Sequence, residues 1–156
     1  MTSLAITDHG VMYGTIKFYN ACLEAGLKPI IGVEGYLAQR SRFDKQSGLD
    51  SDQFHQVLLA KNLTGYRNLL KLMTQAHLEG YYYKPRFDRE LLEKYHEGVI
   101  TTTSCIQGIV PQLILKKQFE EAKKMIEWYL SIFSDDYYIE LQSHQNIPEL
   151  DTINGQ

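Results

Sequence analysis

The sequence predicts an α/β fold with a partly parallel sheet, and three observations carry that prediction. A short apolar run over residues 3–7 ends in Asp8-His9-Gly10, where the glycine permits a sharp exit from a strand. Short β-branched or apolar segments alternate with segments of helical spacing along most of the chain. The first strand, helix and strand fit into about 35 residues, the size of a βαβ unit, whose two strands pair in parallel.

Taken in order, residues 3–7 form the first strand. Residues 14–25 follow as a helix with Ile16, Tyr19, Ala21 and Leu23 near helical spacing, and Gly26 is a natural terminator. Residues 30–37 are the second strand, mostly apolar, with the single carboxylate Glu34. Residues 39–53 are polar and charged and form a surface excursion, long enough by loop statistics to be functional or mobile. Residues 55–60 are the third strand. Asn62 to Gly65 then turns into an amphipathic helix on Tyr66, Leu69, Leu70, Leu72, Met73 and Ala76, ending near Gly80. Pro85 forbids helix just before it. Asp88 is positioned as the N-cap of a short helix through Leu91, Leu92 and Tyr95, closed by Gly98. Residues 99–103 are β-branched throughout and make the fourth strand. Residues 111–115 are a short helical piece, and residues 117–133 the strongest amphipathic helix. Residues 137–141 are a fifth strand, and residues 143–156 are polar without periodicity.

Composition bounds the class. The chain has 156 residues, 44% hydrophobic and 22% charged, as expected of one ordinary globular domain or a piece of a larger one. A formal net charge of -3 lacks the basic footprint of a nucleic-acid-binding domain, although a local basic cluster stays open. Cys22 and Cys105 stand far apart in no C-x-x-C pattern, which argues against a disulfide scaffold and fits a reducing compartment. No apolar run approaches the roughly 20 residues of a membrane helix. A basic start and apolar h-region are absent, so no signal peptide is expected.

The chemistry-bearing residues cluster at strand ends: Asp8, His9, Glu34 and Cys105, with His55 at the start of its strand. In parallel α/β folds the carboxyl ends of strands are where ligands bind. Imidazole, carboxylate and thiolate together are transition-metal donors. Each has an ordinary alternative. Asp8 caps the next helix, His9 is a satisfied loop histidine, Glu34 is a pairing or edge residue, and Cys105 is a small buried hydrophobe.

Five motifs then fall in one order: Leu4-Ala5-Ile6-Thr7-Asp8-His9-Gly10; Pro29-Ile30-Ile31-Gly32-Val33-Glu34; His55-Gln56-Val57-Leu58-Leu59-Ala60-Lys61-Asn62 with Gly65-Tyr66-Arg67-Asn68-Leu69; Tyr83-Lys84-Pro85-Arg86; and Ser104-Cys105. Together, over residues 3–142, they resemble the PHP (polymerase and histidinol phosphatase) domain, in the branch carried by bacterial replicative polymerases of the DNA polymerase III alpha type. The resemblance implies the central part of a distorted (β/α)7 barrel, here one partial domain with core 3–142 and tail 143–156. It implies divalent metal ions, zinc or manganese and up to three in an intact family site, serving phosphoester hydrolysis of the 3′ to 5′ exonuclease type. Carried over by position, His9, Glu34 (as the bridging carboxylate), His55 and Cys105 are metal ligands, and Asp8 is a direct or second-sphere acid. Lys84 and Arg86 are candidate phosphate binders, with a solvated loop as the alternative. His77 and His144 read as packing or hydrogen-bonding residues and His96 as a surface histidine.

The family's opening H-x-H and closing Asp-x-His motifs lie outside this sequence. An open sheet is therefore expected, with free edges at residues 3–7 and 137–141, marginal stability, weak metal binding and little or no activity from these residues alone. A parent of this kind implies DNA-directed DNA synthesis with magnesium, DNA and other replicase subunits as partners, a cytoplasmic location and no membrane. Two other functions stay open at this point: a non-catalytic scaffold within a polymerase, and a free-standing phosphatase.

Overall fold

In the computed structural model, which describes residues 1–144 and 146–155, the first βαβ unit forms as expected. Strand β1 (Ser3–His9) pairs in parallel with β2 (Lys28–Ala38), with His9 opposite Glu34. Helix α1 (Thr15–Glu24) connects them. The Gly14 N–H donates to Asp8 Oδ2 at 3.0 Å, so a strand-end carboxylate receives an amide at the helix entrance. Gly26, at φ +67°, turns the chain back into β2.

Strand β3 (Gln53–Ala60) runs antiparallel to β2, with Tyr36 opposite His55. Beyond β3, Asn62 caps α2 (Leu63–Leu78), its Oδ1 accepting from Gly65 N at 3.0 Å. The stretch around Pro85, expected only to break the helix, folds as two short strands, β4 (Tyr81–Tyr82) and β5 (Lys84–Phe87). Strand β5 pairs in parallel with β2 beyond the point where β1 leaves it. Gly10 marks that departure. Its φ is +69°, and an added Cβ would lie 2.7 Å from the Tyr36 ring. Asp88 caps α3 (Arg89–Tyr95) by accepting from Leu91 N. Strand β6 (Val99–Thr102) is antiparallel to β3, and β7 (Tyr137–Tyr138) is parallel to β6. Between them lie α4 (Ile109–Leu115) and α5 (Phe119–Phe133).

The result is a mixed, unclosed sheet of seven strands, ordered β4-β5-β2-β3-β6-β7, with β1 also on β2. Among the described residues β1 pairs only with β2, and β7 only with β6. The last strand is shorter than expected. Beyond Tyr138 the chain follows β6 through Thr103, whose Oγ1 accepts from Glu140 N at 2.8 Å.

One face of the sheet is the core. Val33, Leu37, Leu58 and Val99 point into it, since alternate strand residues share a face. Leu69, Leu72, Met73 and Ala76 of α2, Leu91 and Leu92 of α3, and Ala122, Met125, Tyr129 and Phe133 of α5 cover them. Within this core Tyr129 donates to Gln56 Oε1 at 2.5 Å, and Gln56 Nε2 donates to Thr101 Oγ1 at 2.6 Å. Ile16, Tyr19 and Leu23 of α1 remain exposed.

The segment 143–156, polar and without periodicity in the sequence, contains α6 (Pro148–Asn154). Proline at its start, acids in the first turn and the buried Leu150 account for it. Too short to show a period by itself, the helix forms because Leu150 has a core to enter. Among the described residues no helix is long and apolar enough to cross a membrane.

Candidate metal centre

The reversed direction of β3 explains why His55 belongs with the strand-end residues. In an antiparallel pair the start of one strand lies beside the end of the other, so His55 sits at the same rim as the last residues of β2. Glu34, Tyr36 and His55 share the sheet face opposite the core, and His9 joins them through its register with Glu34.

Donor atoms of Glu34, His55 and Cys105 all lie within 4.8 Å of one another. Glu34 Oε1 is 2.5 Å from His55 Nδ1, and Cys105 Sγ is 3.5 Å from the same nitrogen. The other Glu34 oxygen, Oε2, is 3.2 Å from His9 Nε2. One carboxylate thus faces two imidazoles, the His9 side chain 65% exposed and Glu34 only 15%. The two rings stand edge to face at 6.2 Å. Burial pushes the Cys105 thiol above its ordinary value, and the Glu34 carboxylate acts in the same direction. A cation among these groups would reverse that balance, since metal ligation favours the thiolate. Nitrogen, oxygen and sulfur donors at this spacing suit a four-coordinate transition metal.

Cys105 reaches the rim by a backbone device. Ser104, at φ +62°, bends the chain as β6 ends, and its Oγ accepts from Val57 N at 2.7 Å, where the ladder to β6 would otherwise lapse. Tyr36 supplies the floor: its ring meets that of His55 at 5.6 Å. Sequence reasoning missed both. Tyr36 was readable, because it stands two residues beyond Glu34 on the same strand face.

Asp8 does not join the cluster. As His9's neighbour in an extended strand it points to the opposite face, and its carboxylate is engaged at the entrance to α1. Its ordinary role, next to the helix start, is the one the structure supports.

Arg86 is also misplaced as a phosphate binder. It is 0% exposed, and its donors go to the backbone carbonyls of Gly80, Asp50, Arg42 and Asp44 at 2.8–3.1 Å. It fastens the excursion over residues 39–52 from beneath. Burial lowers its pKa, opposed by the charge of Asp50. The excursion is held further by Arg40, which forms two bonds to Asp50, and by Arg42, which meets Asp88, Glu79 and Glu90. Lys84, by contrast, is exposed, with Nζ 5.4 Å from the centroid of the Tyr36 ring.

The remaining histidines lie away from the cluster. His77 Nε2 is 2.9 Å from Gly10 O, His96 Nδ1 is 2.7 Å from Glu93 O, and His144 is exposed.

A model of the PHP domain matches residues 1–144. A protein of Borreliella burgdorferi named DNA polymerase III subunit alpha is 50% identical over 155 residues, which cover 99% of this chain and 13% of that protein. The identically named protein of Thermus aquaticus is 45% identical over 154 residues, 97% of this chain and 12% of its own length. That of Aquifex aeolicus is 42% identical over 158 residues, 97% of this chain and 14% of its own length. The chain therefore spans between 12% and 14% of these relatives. With the domain match running through every strand of the sheet and every donor at the rim, the chain belongs to the PHP domain family.

Proposed function

We propose that this chain is the PHP portion of a bacterial replicative polymerase alpha subunit and holds divalent metal, zinc or manganese, for phosphoester hydrolysis of the 3′ to 5′ exonuclease type. The observation that carries the reading is the meeting of Glu34, His55 and Cys105 within 4.8 Å. The names of the similar proteins support the parent: DNA polymerase III subunit alpha in each of the three organisms. In such a parent, DNA synthesis uses magnesium and carboxylates elsewhere. Its partners are DNA and other replicase subunits, and its place is the cytoplasm.

A divalent ion, when bound, supplies an activated water and offsets charge on a phosphoryl oxygen. The chain's own residues do the rest. Glu34 presents one oxygen on the His9 side and the other on the His55 side, so with those two imidazoles it would hold bound metal at the rim. Tyr36 holds the His55 ring in orientation. Lys84, exposed and with its Nζ over the Tyr36 ring, brings a positive charge to the rim and can meet a phosphate oxygen as a point charge.

Equilibrium dialysis against zinc and manganese, followed by metal analysis, tests the site. His55→Ala and Cys105→Ser should each weaken binding at least tenfold. Unchanged binding in both variants would overturn the reading. Shortening of a labelled primer by the longer parent protein, abolished by His55→Ala, separates catalysis from a scaffold that merely holds metal.

A further inference from the structure

Beside the metal cluster lies a separate polar cavity of about 210 Å³. It is walled by Gln39 just after β2, by Gln53 and Phe54 at the start of β3, by Gln107 in the loop after β6, and by Gln112 of α4. Asp52 and Lys116 add one charge of each sign, so the walls carry no net charge. His55 belongs to both the cavity and the cluster. The two are tied by one residue: Gln107 N donates to Cys105 Sγ at 3.4 Å, and Gln107 O accepts from His55 N at 3.0 Å.

Four carboxamides around one small cavity is an unusual lining. Each carries both donors and an acceptor, the pairing that reads the edge of a heterocyclic base. Gln112 has one donor engaged with Ile106 O at 2.8 Å and keeps its carbonyl oxygen. Gln53 Oε1 is buried and has no hydrogen-bond partner among the described residues. Phe54 stands in the wall with its ring packed against the hydrophobic core. The balanced charge disfavours a phosphate in the cavity itself. The volume is below the roughly 300–1,000 Å³ of pockets that take drug-sized ligands, and matches a single ring system.

We infer that this cavity receives the nucleobase of a nucleotide whose phosphate lies at the Glu34–His55–Cys105 cluster. The inference rests on the proposed metal-site reading only for where the phosphate goes; the base pocket itself needs no metal.

The test uses phosphate-free probes on the 156-residue chain, so that the pocket and the metal site fail separately. Deoxynucleosides are titrated against chain labelled for side-chain amide resonances, with 2-deoxyribose as the base-free control. The expected result is selective movement of the Gln39, Gln53, Gln107 and Gln112 side-chain signals by nucleosides and none by 2-deoxyribose. The double variant Gln53→Ala/Gln107→Ala should weaken nucleoside binding at least fivefold while zinc binding stays unchanged. Glutamine signals that do not move, or that move equally with 2-deoxyribose, overturn the inference. So does undiminished nucleoside binding by a double variant whose spectrum is otherwise native. If nucleosides bind as expected but zinc does not bind, the pocket stands and the metal reading falls.

Discussion

Replacing Arg86 should destabilise the fold without touching the chemistry. Its guanidinium makes four hydrogen bonds to backbone carbonyls, those of Gly80, Asp50, Arg42 and Asp44. Hydrogen bonds from a charged donor contribute about 1.5–3 kcal/mol each, a gross of roughly 6–12 kcal/mol. Against that stands the cost of holding an arginine out of water, several kcal/mol, which its removal returns. Water entering the vacated space also satisfies part of the carbonyls. The net for Arg86→Met is about 3–5 kcal/mol, at the upper end of single-substitution effects. In a domain of this size that is a fall in Tm of roughly 6–20 °C. Arg86→Lys keeps the charge, but one nitrogen cannot span carbonyls placed for a planar fork; about 2 kcal/mol should be lost. Urea unfolding followed by circular dichroism gives both values, and limited proteolysis should cut first within residues 39–52. A loss below about 1 kcal/mol in Arg86→Met would refute the anchoring role, since it is less than the worth of one charged hydrogen bond. So would unchanged stability accompanied by weaker phosphate binding.

Three further outcomes follow from the geometry. The Asp50 carboxyl is held down to about 2, from 3.8, chiefly by its hydrogen bond from Arg40. Its contribution is therefore fully present above about pH 4 and lost as the pH falls from there toward 2. Urea midpoints measured across that window should drop less steeply in Asp50→Asn than in the parent sequence. Tyr129→Phe leaves the buried Gln56 Oε1 without its phenol donor and should cost about 1–3 kcal/mol by thermal unfolding, with metal binding intact. Cobalt bound to the chain should show thiolate-to-metal charge transfer that disappears in Cys105→Ser and persists in His9→Ala, because Cys105 stands on the His55 side of Glu34.

Much of the architecture was legible because periodicity reports burial. The spacing of Leu69, Leu72, Met73 and Ala76 is that of one helical face, and those residues are the buried ones. Asp88 as a helix cap was readable from its chemistry and position. Strand direction was not legible, since alternation looks the same in either sense. Only pairing shows that β3 turns back and brings His55 to the end of β2. Helix α6 was hidden because a single buried leucine makes no period. At the rim, residue types indicated which groups could bind metal, but not which way a side chain points. Asp8 and His9 are adjacent and equally suitable by type; the pleat sends them to opposite faces. Arg86 and Lys84 are likewise two residues apart. What separates them is the excursion that closes over one and leaves the other in water, a long-range contact with no local signature.

The antiparallel β2–β3 pair also sets an order of assembly. Glu34 and His55 are brought together by one hairpin, whereas Cys105 lies 50 residues beyond His55 and arrives only when β6 docks on β3. Closing the longer loop costs more chain entropy, so the hairpin half forms with the lower barrier. Metal available to the nascent chain meets carboxylate and imidazole before it meets thiol. Ions that favour oxygen and nitrogen can enter at that stage, while a thiophilic ion gains its full complement of donors only after the sheet has grown past β6. The metal content of the purified chain would then record the order in which its strands came together as well as the affinity of the finished site.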